Sequence, residues 1–103
     1  MITCIIPARA GSKRIKNKNL KIFFGQPLIF YSIKLALKSK IFSNVIVSTD
    51  SKRIARIAKK LGASVPFFRS KKNSSDKAPI VDVLKEVVNK IKIKDNYLCC
   101  LYP

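Results

Sequence analysis

Between Pro7 and Asn19 the chain sets Arg9, Lys13, Arg14, Lys16 and Lys18 among Ala8, Ala10, Gly11 and Ser12. Small residues let a backbone approach a ligand closely, so that main-chain N–H groups can point at phosphate oxygens while cationic side chains neutralise their charge. The combination points to a site for a polyanion such as a nucleoside triphosphate. Such a loop must be held at its root, and the apolar run from Ile2 to Ile6, stopped by Pro7, predicts a strand that feeds it.

The elements behind that loop can be read in order. Gly25-Gln26-Pro27 signals a turn, with proline poised to open a helix. Leu28, Tyr31, Ile33, Leu35, Ala36 and Leu37 then recur at mostly helical spacing, with Lys34, Lys38 and Lys40 on the outside. The dense β-branched stretch Asn44 to Thr49 predicts a strand buried on both faces of a parallel sheet. Asp50 or Ser51 stands at the N-cap of the next helix, which carries Ile54, Ala55, Ile57, Ala58 and Leu61 and is closed by Gly62. Ala63 to Phe68 reads as a short strand that Pro66 keeps at an edge or at its end. Ile80, Val83, Leu84, Val87, Val88 and Ile91 define an amphipathic helix with Glu86 and Lys90 as an outward pair, and Tyr97 to Tyr102 is the last strand. Four strands separated by three helices predict an α/β domain over residues 1–103, built on an open, mostly parallel, Rossmann-like sheet. Its ligands would lie at the carboxyl ends of the strands, where the basic loop, Asp50, Arg69 and Pro103 all fall.

Composition removes several kinds of chemistry. The chain has no histidine, which excludes serine-histidine and cysteine-histidine catalysis. Cys4, Cys99 and Cys100 sit inside apolar runs, with neither metal-ligand spacing nor the even number of a disulfide framework, and read as buried thiols. No metal site is expected from the residues present. The opening residues lack the charged lead and apolar length of a signal peptide, and no run is long enough to span a bilayer, so a cytoplasmic protein without a membrane partner is expected. A formal charge of +17 raises nucleic-acid binding as a reading, because basic surfaces neutralise backbone phosphate. The lysines are scattered over helices as well as loops, and no aromatic residues interleave with them as a stacking platform would require, so no nucleic-acid partner is expected.

Pro7-Ala8-Arg9-Ala10-Gly11-Ser12-Lys13-Arg14-Ile15-Lys16-Asn17-Lys18-Asn19 also resembles the first motif of the sugar-acid cytidylyltransferases, the CMP-sialic acid synthetases and their relatives acting on pseudaminic and legionaminic acids. That motif runs Pro-Ala-Arg-x-Gly-Ser-Lys-x-Ile-x-x-Lys-Asn, and every fixed position is met; Lys16 stands where members often carry proline. The likeness continues through Gly25-x-Pro27-Leu28-Ile29, Tyr31-Ser32-Ile33, Val47-Ser48-Thr49-Asp50, and Arg69 followed by Ser75-Asp76-Lys77-Ala78. Val65 to Arg69 and the ending Tyr97 to Pro103 look more like the pseudaminic acid enzymes than the sialic acid ones.

The resemblance implies a fold of the nucleotide-diphospho-sugar transferase type, present only as its nucleotide-binding first half. It implies attack by the anomeric hydroxyl of a nonulosonic acid on the α-phosphate of CTP, with pyrophosphate leaving. Ala8, Arg9, Gly11, Ser12 and Lys13 would cradle the triphosphate, and Lys18 with Arg9 would stabilise the phosphoryl group in transfer. Asn19 would hold ribose or base, while Arg69 and the backbone around Ala78 would face the cytosine ring. Mg²⁺ would bridge the phosphates, held by residues of the family's second half, and the complete enzyme is expected to be a homodimer. Three other readings stay open: the related transferase that activates the inner-core sugar acid of lipopolysaccharide, a basic nucleic-acid-binding module, and an inactive truncated fragment.

Overall fold

The computed structural model describes residues 1–11, 18–75 and 77–103. The first strand, β1 (Ile2–Pro7), lies in the middle of a three-stranded parallel sheet. On one side it pairs with β4 (Asn44–Ser48), from Thr3 opposite Asn44 to Pro7 opposite Ser48. On the other it pairs with β5 (Tyr97–Cys100), from Ile2 opposite Tyr97 to Ile5 opposite Cys100. A parallel sheet must be covered on both faces, and the unbroken apolar run of β1 serves both. Cys4 and Ile6 point into a core shared with helices α1 (Leu28–Ser39) and α2 (Lys52–Leu61), through Ile29, Ile33, Ile54, Ala55 and Ala58. Ile5 points the other way, with Ile46, onto Val87 of helix α3 (Ile80–Ile91). Ile5, Ile6, Ile29 and Ile33 are fully buried, each contributing about 1.5–3 kcal/mol by leaving water.

Local chemistry sets the element ends. Ser51, not Asp50, caps α2: its hydroxyl accepts from the Ile54 amide at 3.1 Å. Gly62 ends the same helix at φ +107°, where an L side chain would be strained and a Cβ would also sit 3.2 Å from Leu37. The turn after Leu20 is a small antiparallel hairpin, β2 (Ile22–Phe23) with β3 (Gln26–Pro27). Phe24 and Gly25 both take positive φ at its tip, the backbone of a two-residue hairpin loop.

Three expectations change. The segment Ala63 to Phe68 does run along the outer edge of β4, but it makes only two isolated bridges, Ile46 with Ser64 and Thr49 with Phe68. Pro66 lies between them and has no N–H to give, so the ladder cannot close. Leu35, placed with the buried set, is 62% exposed; Ile29 and Ile33 take the inward stripe instead. Glu86 turns inward, and its side chain is only 10% exposed beside Lys90 at 3.9 Å.

Cys4 is a buried thiol, as expected; burial, then the neighbouring Cys99 and Cys100, pushes its pKa up to about 12. Cys99 and Cys100 are half-buried. At the far end of the sheet, the Asp95 carboxylate accepts from the Ser43 hydroxyl and, at 2.6 Å, from that of Thr3. These two bonds hold the Asp95 pKa below its ordinary value. The stabilisation is complete above the unfolded-state pKa of about 3.9 and is lost as pH falls through the lower folded value. The melting-temperature gap between the wild type and Asp95→Asn should therefore shrink as pH drops from about 5 to below 4. A gap constant across that window would show that the charge of Asp95 does not matter.

Candidate active site

The site begins where β1 runs out. Ala8 extends the ladder with β4 through a 2.9 Å bond from its amide to the Ser48 carbonyl, and its methyl is buried in the core. Two residues on, the Ala10 amide donates to Oδ1 of Asp50 at 2.7 Å. The Arg9 carbonyl between them accepts from Nδ2 of Asn19 at 3.2 Å. Asn19 itself is rooted in a short 3₁₀ turn, Lys18–Leu20, whose Leu20 packs on the α1 and α2 core. The backbone around Arg9 is thus tied on three sides before any ligand arrives.

A second anchor comes from across the sheet. The Arg69 amide bonds the Thr49 carbonyl at 2.7 Å, and its side chain is buried. Its Nη2 donates to the Ser48 carbonyl at 2.7 Å, Nε to the Ser48 hydroxyl at 3.2 Å, and Nη1 to the Asn73 carbonyl at 3.4 Å. Ser48 therefore joins Ala8 to Arg69 through one oxygen. The Ser70 to Ser75 loop beyond is fixed in turn: the Ser70 amide donates to Glu86 at 3.1 Å, and the Ser74 hydroxyl to the Ser70 carbonyl at 2.7 Å. Burial tends to raise the Glu86 pKa, but the Ser70 bonds and Lys90 outweigh it and the net shift is downward. The Arg69 guanidinium is lowered by burial, an effect that Asp50 opposes and Arg9 reinforces.

These elements enclose a cavity of about 260 Å³ at the carboxyl ends of β1 and β5. Of the residues expected from sequence, Arg9, Gly11, Lys18, Asn19, Arg69 and Ala78 line it together. Ala8 does not: its amide is already bonded to Ser48. The Ala78 amide is turned to the Ser75 carbonyl at 3.3 Å. Ser12 and Lys13, with the rest of 12–17 and Asp76, lie outside the described residues. Among the described lining residues three are cationic and none is acidic, so the cavity favours an anion. One wall is apolar, from Pro7, Ile80 and Val83, and Tyr102 and Pro103 close the side next to β5.

Oδ1 of Asn19 is buried and has no hydrogen-bond partner among the described residues. A buried acceptor left unmet costs about 1–3 kcal/mol, and at a cavity wall it marks a place for a ligand donor. Sequence reasoning did not pick out Asn73, Ser75 or Tyr102 as wall residues, nor Ser48 as the hub. The signals available for Ser48 were its place at the carboxyl end of a strand and its membership of the Val47-Ser48-Thr49-Asp50 block.

A parallel α/β sheet that gathers cationic side chains at the carboxyl ends of its strands presents a site for an anionic ligand, although the amides of Ala8, Ala10, Arg69 and Ala78, expected in part to face phosphate, are bonded within the protein. The comparisons are more specific: a model of the cytidylyltransferase family matches residues 3–102, and the chain belongs to that family. It is 45% identical over 102 residues to a pseudaminic acid cytidylyltransferase of Campylobacter jejuni, covering 96% of this chain and 44% of that protein. It is 42% identical over 94 residues to a CMP-N,N'-diacetyllegionaminic acid synthase of Legionella pneumophila, covering 91% of this chain and 40% of the relative. A solved structure of CMP:2-keto-3-deoxy-manno-octonic acid synthetase in complex with CTP superposes with a TM-score of 0.78 at 27% identity, over 96% of this chain and 39% of that one. The fold is therefore that of the nucleotidyltransferases. The chain spans less than half the length of these relatives.

Proposed function

We propose that this chain binds CTP in the cavity between Arg9, Lys18, Asn19 and Arg69, as the nucleotide half of an enzyme that activates a nonulosonic acid of the pseudaminic type. The observation that carries the reading is the convergence of these four side chains from two distant stretches onto one cationic hollow. In the reaction, the anomeric oxygen of the sugar acid forms a bond to the α-phosphorus, the bond to the β-phosphate bridging oxygen breaks, and pyrophosphate carries the charge away. The hydroxyl proton passes to solvent or base. Charge grows on the phosphoryl oxygens, and prepositioned cations in a recessed site stabilise it without reorganising. Arg9 and Lys18, on the cavity wall, would take that role, while the unmet Asn19 oxygen would accept from a ribose hydroxyl or a base amino group. The 45% identity to the pseudaminic acid enzyme supports the choice of sugar acid.

The family resemblance also implies Mg²⁺. Among the described residues no group of three or more Asp, Glu, Cys or His side chains is placed to hold a metal ion. Asp50, the carboxylate that touches the loop, already holds the Ala10 amide. These residues do not by themselves make a Mg²⁺ site.

Titration of the chain with CTP, ATP and a DNA duplex tests the reading against that of a basic nucleic-acid module. CTP should bind at least tenfold more tightly than ATP. Equal affinity for the two nucleotides, together with steeply salt-dependent DNA binding, would instead assign the charge to polynucleotide.

A further inference from the structure

We infer that Asp50 is a positioning residue for the nucleotide, holding residues 8–10 just after β1 so that Arg9 faces the cavity; the inference rests on the CTP reading of the cavity. Three observations carry it. Asp50 does not cap α2, because Ser51 does so. Its carboxylate instead reaches 40 positions back along the sequence to the Ala10 amide at 2.7 Å, a charge-assisted bond of the stronger kind. The bond also falls in register. The parallel ladder ends at Pro7 opposite Ser48, the Ala8 amide takes the Ser48 carbonyl, and two residues further on each strand the Ala10 amide takes Asp50. A side-chain oxygen stands where the next strand carbonyl would have been, and the sheet's grip continues into the loop.

With Ala8 fixed to β4, Ala10 to Asp50 just beyond it, and the Arg9 carbonyl to Asn19, the direction in which the Arg9 side chain leaves the backbone is set, and it lines the cavity. The sign of the effect is what makes the inference testable. A carboxylate near a triphosphate should repel it, so that simple electrostatics predicts tighter CTP binding when Asp50 is removed. Positioning predicts the opposite.

The test compares the wild type with Asp50→Ala and Asp50→Asn by calorimetric titration with CTP, thermal melting, and hydrogen exchange at the Ala10 amide. Asp50→Ala should raise the Kd for CTP by about tenfold, with melting changed by only a few degrees and faster exchange at Ala10. Asp50→Asn keeps an acceptor oxygen and should fall between. A purely structural role would lower melting without moving the Kd of the folded protein. Unchanged or tighter CTP binding in both variants overturns the inference. A wild type that binds no CTP overturns the functional reading and the nucleotide part of this inference. The loop-holding part is then decided by exchange at Ala10, where equal rates in Asp50→Ala and wild type would overturn it.

Discussion

Arg69→Met should weaken CTP binding by about 10- to 100-fold while melting within a few degrees of the wild type; Arg69→Ala should lose both affinity and stability. The contrast follows from what the side chain does. Its stem fills buried space beside β4, and each of its three nitrogens donates one bond, to Ser48 or Asn73. Methionine keeps the volume, and the Ser48 carbonyl still has the Ala8 amide, so little is left unmet. Removing the buried guanidinium also removes the cost of its desolvation, which offsets the loss of its hydrogen bonds. Alanine leaves a hole as well, at a cost of about 2–3 kcal/mol, which for a domain of this size lowers Tm by roughly 10–20 °C. Calorimetry and thermal melts on the two variants read the two effects separately. Full CTP affinity in Arg69→Met would make Arg69 a strap for β4 and nothing more.

Lys18→Ala should lower kcat in the full-length protein by about 100-fold or more with melting unchanged. Lys18 is half-exposed, sits on the cavity wall, and starts a turn whose fold depends on Leu20 in the core rather than on the lysine. On the proposed reaction its removal takes away a cation where charge would develop, and little else. Lys18→Arg keeps the charge on a wider, planar head and should recover only part of the loss. Steady-state rates with CTP and a pseudaminic-type acid decide the matter. A kcat within a factor of about three of wild type would transfer the role to Arg9.

Much of this was legible in the residues because local rules and tertiary packing agree here. The double-faced burial of β1 is written in its unbroken apolar run, the start of α2 in Ser51, and its end in Gly62. The spacing of Arg9, Gly11, Lys18 and Asn19 placed them on one loop, and the alternation of strands and helices brought Arg69 to the same rim. What could not be read depends on pairing across distance or on degeneracy in the pattern. Asp50 and Ser51 are both good caps by type, and only the position of Ala10, 40 residues earlier, decides which is released for other work. Leu35 belongs to a helix with more apolar residues than its buried stripe can take, so spacing alone admits it and packing leaves it out. Glu86 reads as solvent-facing until the loop at Ser70 offers it an amide.

The placement of β1 at the centre of the sheet bears on how the protein comes to exist at all. One of its neighbours pairs Ile2 with Tyr97, so that this partnership must close a very long loop, and such distant pairings are slow to form. Tyr102 and Pro103, just past that last strand, make one side of the hollow, and Arg9 makes another. The hollow is thus built from segments far apart in the sequence, and a ligand bound in it would act as a clasp between β1 and β5.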